Sequence, residues 1–425
     1  MPATHGGRAP GSASAADRAD RAVHAAGPAP SLLPTEALRA VLLRPSFVAA
    51  QSGGLLFLVA RDHFQAPPWL KALVAGAFFF GLLCSPWALG LASRAGLSAE
   101  RALSLATLGA ALGLTGAALS SSAAGYSVGV LLGVSLSACT APMITAIWQA
   151  QVPAALRGRR YALVTSLAGG AGVLAALAWA QWLGRTVDGY RPVLLAVALT
   201  LVASSLVAWR LPRTALGPTP ASSLGLLSLL WKEPRFGLVN LGWTLMGFGN
   251  LAAMPMRTEF LRGAGGIDFG YGAREVLLLV TVLPQAVALV ATLVWGRLFD
   301  RYGFFGLRLS VNSCFIVSLL LFFTPWLPAQ VASGILLGLG FGGEQLVWGL
   351  WVTEFAPPER TADYMAVHTF LTGVRGLAGP LTAYALLGRI PVLGIAYGAA
   401  GSILLSLLLF AWLARGGLAP RPAAA

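Results

Sequence analysis

Charge is what this sequence has least of. Only 10% of its 425 residues are Asp, Glu, Lys or Arg, against about 25% in a soluble domain. That scarcity excludes a water-soluble globular fold. Lysine occurs only at Lys71 and Lys232. Neither lies in a Gly-x-x-x-x-Gly-Lys-[Ser/Thr] phosphate loop, so ATP hydrolysis is not encoded here. The three cysteines, Cys84, Cys139 and Cys314, each sit alone in an apolar run. They have neither the spacing of a disulfide framework nor that of a metal site, and as single buried thiols they behave as small hydrophobes. No His/Cys/carboxylate cluster is present, so no metal, no cofactor and no enzymatic centre is expected. Gly125-Tyr126-Ser127-Val128-Gly129 matches the Gly-x-Ser-x-Gly pattern, but it opens an apolar helix with no strand before it and no histidine partner. Residues 1–30 are rich in Ala, Gly, Pro and Ser and lack the apolar core of a secretory signal. They read as a disordered tail, and the first hydrophobic run reads as a retained helix.

What the chain has in abundance is apolar length. It is 57% hydrophobic, with a mean hydropathy of +0.75, and its apolar runs approach the ~20 residues that span a bilayer as a helix. Twelve spans are predicted, an all-α polytopic membrane protein. They cover about 45–60, 69–91, 100–120, 124–148, 161–184 and 191–210, then 236–256, 274–295, 307–326, 329–353, 363–387 and 391–414. The first is interrupted by Gln51, Ser52 and the Gly53-Gly54 pair. Residues 211–235, with Pro212, Pro218, Pro220 and Pro234, read as a linker carrying a short interfacial helix at Leu224 to Trp231. The net charge of +14 is accounted for by topogenic arginines rather than nucleic-acid binding, since no basic patch interleaved with aromatics lies outside the spans. With the N-terminus inside, twenty Arg and Lys fall on the cytoplasmic side, Arg39, Arg44 and Arg308 among them, and eight outside, Arg257 among those. Both termini are therefore expected in the cytoplasm.

The link between the eighth and ninth spans is Gly296-Arg297-Leu298-Phe299-Asp300-Arg301-Tyr302-Gly303. Its glycine permits a tight turn, its arginines favour the cytoplasmic side, and its aspartate is available to cap or pair. This stretch resembles the signature loop of the major facilitator superfamily, Gly-x-Leu-x-Asp-Arg-x-Gly followed by a basic residue. Gly296, Leu298, Asp300, Arg301 and Gly303 match, and the basic residue is delayed to Arg308. A worn copy stands at Gly90 to Gly96, where Arg94 and Gly96 survive and Ser93 replaces the aspartate.

The two halves repeat at an offset of about 205. Gly129 to Gly133 recurs as Gly334 to Gly338, Trp148 as Trp351, Arg157 as Arg360, Tyr161 as Tyr364 and Gly170 as Gly373. The resemblance implies two six-helix pseudo-repeats, 31–210 and 236–415, joined by the linker 211–235 and followed by a tail at 416–425. The substrate site would lie between the halves near the bilayer midplane. Trp148 and Trp351, at matching span ends, read as interfacial anchors. The glycine pairs Gly129–Gly133 and Gly334–Gly338 read as surfaces of close helix approach.

An ionisable side chain deep in a span costs roughly 2.5–3.5 kcal/mol on insertion scales and marks function by default. Among the carboxylates Glu344 alone sits at mid-depth, and Arg375 in span 11 has comparable depth, so a Glu344–Arg375 pair is feasible. Three readings stand side by side: a structural ion pair, substrate contact, and Glu344 as carrier of a coupling proton. His368, two turns before Arg375, titrates near neutrality and stands either as a hydrogen-bonded core histidine or as a relay. Because spans 1, 4, 7 and 10 line the cavity in the superfamily, Gln51, Asn240, Asn250 and Gln345 are candidate substrate contacts, with helix-bridging amides as the alternative. Gly296, Asp300, Arg301, Gly303, Arg94 and Arg360 form a candidate cytoplasmic gate, Arg301 facing Glu354 or Glu359. With Ser93 uncharged, only the second-half latch is expected to be strong.

The resemblance implies a monomeric secondary transporter of a small solute, working by alternating access in the inner (cytoplasmic) membrane. Its expected partners are protons and the lipid bilayer, with no nucleic acid. The family's commonest substrates incline the expectation to efflux of a hydrophobic small molecule. The glycine-proline motif of drug antiporters is missing from span 5, where Gly169-Gly170-Ala171-Gly172 stands without a proline. A non-transporting sensor or accessory subunit on the same fold is the second class.

Overall fold

The protein is described by a computed structural model over residues 32–216, 223–357 and 360–416. The predicted N-terminal tail and, apart from Gly416, the C-terminal one lie outside these residues. In a chain this apolar, backbone polar groups must be satisfied within each segment, which selects helices. In chain order the long helical segments are α1 (Leu32–Ala49 and, beyond a break, Leu55–Asp62), α2 (Pro68–Arg94), α3 (Ala99–Leu119) and α4 (Ala123–Ala138 and Ala141–Gln151). Then come α5 (Ala154–Leu183), α6 (Tyr190–Ala208) and α7 (Pro234–Glu259). The rest are α8 (Ala273–Leu298), α9 (Arg301–Phe322), α10 (Leu327–Leu350), α11 (Thr361–Leu386) and α12 (Val392–Ala414). Among the described residues eight of these, α2 to α6, α8, α9 and α12, are long and apolar enough to cross a membrane. The linker carries two single turns, Ser223–Leu226 and Leu229–Lys232.

The segments alternate in direction, so one end of the bundle carries Leu32 and Ala414 and is here called the terminal end; the other is the distal end. α1 to α6 pack among themselves, as do α7 to α12, and the halves meet along α2–α11 and α5–α8. At the α2–α11 seam the backbones nearly touch. A Cβ on Gly373 would lie 2.7 Å from the backbone nitrogen of Leu83, and one on Gly376 would strike the Phe79 ring.

Three sequence expectations change. The first helix begins at Leu32, not near residue 45. Glu36 and Arg39 disguise its first turns as a charged tail, yet they are buried and bonded to each other at 2.6 and 2.7 Å. Between the halves of the signature stretch there is no eight-residue link: helix runs through Tyr302, and only Gly303 departs, at φ 64° and ψ −172°. Gly96, its counterpart in the worn copy, has φ 65°, so both copies turn on a glycine in the left-handed region. Trp148 and Trp351 are not interfacial anchors, because they are 4% and 0% exposed. Trp148 packs edge-on to Tyr161, and Trp351 stacks on Phe236.

The glycine pairs do mark close approach. A Cβ on Gly129 would lie 2.6 Å from the Ala117 backbone nitrogen, and one on Gly338 would lie 2.6 Å from the Pro284 carbonyl. Gly113 faces Gly133 across the α3–α4 seam, with only 2.5 Å from a built Cβ to the Gly133 nitrogen. We expect Gly113→Leu to force these helices apart at a cost of about 1–3 kcal/mol or more, read as a lowered thermal unfolding midpoint in detergent. An unchanged midpoint would show that the seam yields.

Candidate functional site

A small crevice of about 40 Å³ lies between the halves, walled by α1, α5, α8 and α10. Arg44 and Gln285 stand at its deep end, and Thr165, Ser166, Thr292 and Gln345 along its sides. Arg44 is twelve residues into α1, about 18 Å along the axis, which is mid-depth. Gln345 is five residues from the terminal end of α10, so the crevice occupies the terminal half of the bundle. There α5 exposes Tyr161, Ala162, Leu163, Thr165, Ser166 and Leu167, with Val164 alone buried. A helix with neighbours on its inner side exposes only its outer face, so this part of α5 has no partner across the crevice.

Gln51 reaches the same place from the break in α1. The unwound stretch 50–54 is held by Ser52, which donates to the Ala75 carbonyl at 2.6 Å, and by Thr258 of α7, which donates to the Gly53 carbonyl at 2.6 Å. Gly53 takes φ 84°, and a Cβ there would lie 2.7 Å from the Met254 carbonyl oxygen. The Gln285 amide donates to Gln51 at 3.3 Å and accepts from Arg44 Nη2 at 3.5 Å. A chain Arg44–Gln285–Gln51 thus crosses from one half to the other and back. Of the four predicted amides, Gln51 and Gln345 come to the crevice or its edge.

The distal end is shut by ionic contacts between the halves. Glu259, at the end of α7, accepts from Arg61 at 2.8 Å and Lys71 at 2.6 Å, and from the Tyr384 hydroxyl of α11 at 2.9 Å. Asp62 accepts from Arg61 at 2.7 Å and from Arg262. Arg61 also donates to the Arg262 carbonyl at 3.0 Å. Beside this latch the backbone nitrogens of Ala273 and Arg274 donate to the carbonyls of Arg185 and Gly184.

A second charged cluster lies inside the second half alone. Glu344 does not pair with Arg375. Its carboxylate accepts from Arg308 at 2.6 Å, the two side chains being 22% and 0% exposed. Arg308 lies five residues beyond the turn at Gly303, which at about 1.5 Å per residue carries it into the bundle; it is therefore not the surface cation of a loop. Its guanidinium lies 3.9 Å over the Trp243 ring, and that of Arg375 lies 5.5 Å from the same ring. Arg375 donates to Thr372 at 3.0 Å and fits because Gly247 has no side chain, a Cβ there falling 2.4 Å from Arg375 Nε. His368 is enclosed by Trp243, Trp348 and Trp351, with Nδ1 3.4 Å from Asn240 Oδ1. Asn240 donates back to the Phe236 carbonyl. It is a core amide of the second half, not a cavity residue. Asn250 is buried on α7 and is not among the residues lining the crevice. Arg257, expected as an outside charge, is 1% exposed and donates to Ser333 and Ser318.

At the terminal end, Arg301 lies over the ring of its neighbour Tyr302, and Arg360 reaches Asp363 of its own helix at 3.5 Å. Arg94 is exposed at the end of α2, and Gly296 is half-buried within α8. The side chains of Asp300, Glu354 and Glu359, and with them the expected Arg301–Glu354 or Arg301–Glu359 contact, lie outside the described residues.

Removing one partner of a buried ion pair costs about 3–5 kcal/mol, whereas replacing both by apolar groups is often neutral. With Glu344 partly exposed, we expect Glu344→Ala to fall at the lower end of that range and the double change Arg308→Met, Glu344→Leu to recover most of it. Thermal unfolding of the three proteins checks this; equal loss in single and double variants would show that the pair is not the determinant.

No protein of curated function matches this chain in sequence. Several solved structures match it in fold. The nucleoside transporter NupG aligns with a TM-score of 0.70 at 15% identity, covering 90% of this chain and 99% of that one. A mutant of the peptide transporter POT gives 0.69 at 14% identity, over 90% and 94%. The xylose transporter XylE from E. coli, in a partially occluded inward open conformation, gives 0.64 at 14%, over 93% and 98%. The family model of the Major Facilitator Superfamily matches residues 46–380, and with the helical architecture and signature stretch above, the chain belongs to that superfamily.

Proposed function

We propose that this protein is a proton-coupled secondary transporter of a small hydrophilic solute, working by alternating access. Its halves, 31–210 and 236–415, would form twelve membrane crossings, as a monomer in the inner membrane with both termini in the cytoplasm. The observation that carries this reading is the asymmetry between the two ends. A crevice of mixed polar and apolar lining reaches from mid-depth toward the terminal end, while charged side chains from both halves close the distal end. In alternating access that is an inward-facing state, with Glu259 and Asp62 as the outer gate. Arg44, Gln285 and Gln345, lining the crevice beside Ala288 and Leu289, support a hydrophilic solute over the hydrophobic one expected from family frequency. Export by proton exchange is the direction carried over from that frequency.

Glu344 is the proposed proton carrier. It neighbours Gln345 of the crevice wall in sequence and is partly exposed, whereas its partner Arg308 is fully buried. Protonation would release Arg308 from the pair, a change of one charge at the junction of α9 and α10. His368, walled in by indoles, is assigned a structural role.

Proteoliposomes test the coupling: solute-dependent proton flux is expected in the wild type and lost in Glu344→Gln. Solute flux without proton movement, equal in both proteins, would leave a facilitator. The gate is tested by Glu259→Gln with a reporter cysteine at Ala288 in a cysteine-free background. We expect labelling of the reporter from the distal side to rise several-fold when Glu259 is neutralised. Unchanged distal labelling would remove Glu259 from the gate.

A further inference from the structure

We propose that the crevice binds a small organic monoanion through Arg44, the ligand's carboxylate occupying the guanidinium; this rests on the reading of the crevice as the transport site. Arg44 has no carboxylate within ion-pair distance among the described residues. Its side chain makes one hydrogen bond there, the 3.5 Å contact to Gln285, at the long limit for an N–H donor. Its Nε is buried with no partner among the described residues, as is Nε2 of Gln51 at the other end of the same amide chain. Burying an uncompensated cation is costly, and several buried arginines of this molecule have carboxylate partners. Arg39 has Glu36, Arg61 has Glu259 and Asp62, and Arg308 has Glu344. Arg44, like Arg257 and Arg375, has no carboxylate partner among the described residues, but of these three only Arg44 lines the crevice. Among the described residues no carboxylate lines it.

The geometry narrows the ligand. One guanidinium supplies one charge, which matches a monoanion and leaves a dianionic phosphate half-neutralised. The planar fork of arginine suits a carboxylate in two-point contact. With about 40 Å³ of free space, well under the ~300–1,000 Å³ of drug-sized sites, the crevice as it stands admits a ligand of only a few non-hydrogen atoms. Thr165, Ser166 and Gln345 line its walls and are placed to meet the hydroxyl or carbonyl groups of a polar body. Gly172 keeps the arginine in place: a Cβ there would lie 2.9 Å from Arg44 Cγ. A bound carboxylate would also take Arg44 Nη2 away from Gln285. Ligand entry then removes a mid-depth hydrogen bond between the halves, so the binding event itself loosens α1 from α8.

The test uses the purified full-length protein in detergent and asks for binding before transport. Arg44 is labelled with phenylglyoxal, and its modification is followed by peptide mass spectrometry in the presence of acetate, the uncharged isostere acetamide, or inorganic phosphate. Acetate is expected to slow labelling of Arg44 several-fold, acetamide not at all, and phosphate less than acetate. Arg39, bonded to Glu36, serves as the internal control and should not respond. Failure of acetate to protect Arg44, or equal protection by acetamide, overturns the proposal; stronger protection by phosphate overturns the monoanion assignment. In proteoliposomes, uptake of a panel of radiolabelled monocarboxylates should fall at least several-fold in Arg44→Gln and be partly retained in Arg44→Lys. Protection without uptake in any protein would uphold the anion site and defeat the transporter reading, so the two failures are distinguishable.

Discussion

Glu259 is the contact on which the arrangement of the two halves depends. It sits at the end of α7 and takes hydrogen bonds from α1, α2 and α11, so one carboxylate joins four helices at the distal end. In a medium without water a carboxylate must be neutralised where it lies, and here the neutralising cations belong to the other half. Electrostatics therefore does what shape alone would not. The apolar faces of α2 and α11 would slide against each other at little cost, since lipid is as apolar as they are. The ionic contacts fix which end is closed, and the crevice at the other end follows from that closure.

The buried charges divide into two classes. Those with partners in the same half, such as Arg308 with Glu344 and Arg257 with its two serines, are compatible with rigid halves. Those with partners across the seam, Arg61, Lys71 and Arg262, would separate under the proposed alternating access. Family membership says that this fold carries transport in its relatives. The division says which of this chain's ion pairs would be broken in each cycle and which would travel intact.

The sequence made much of this legible, and the rest was hidden for identifiable reasons. The apolar runs placed the helices because bilayer thickness leaves little latitude in length. Glu344 and Arg375 stood out because so few charges lie in mid-span. Arg308 did not, because the loop consensus assigns the next basic residue to the surface, whereas the turn is a single glycine and five further residues suffice to bury it. Arg44 was concealed by the break at residues 50–54. With its first helix cut in two, the stretch holding Glu36, Arg39 and Arg44 looked like a charged approach to the membrane. Only the observed Glu36–Arg39 bond explains how that stretch is buried. Trp148 and Trp351 misled by position: a tryptophan at a span end is usually an anchor, yet both of these face inward onto tyrosine and phenylalanine rings.

The break in α1 has a mechanical consequence. Its distal piece ends in Arg61 and Asp62, which belong to the proposed gate, while its terminal piece carries Arg44 at the crevice. Between them lie five residues pinned by one hydroxyl from its own half and one from the other. Under the proposed alternating access such an arrangement would work as a universal joint: torque applied at the proposed solute site would reach the closure about 25 Å away through a pivot that bends without unwinding either arm. Gly53, with its positive φ and the Met254 carbonyl 2.7 Å from where a Cβ would stand, leaves that pivot no room for a side chain.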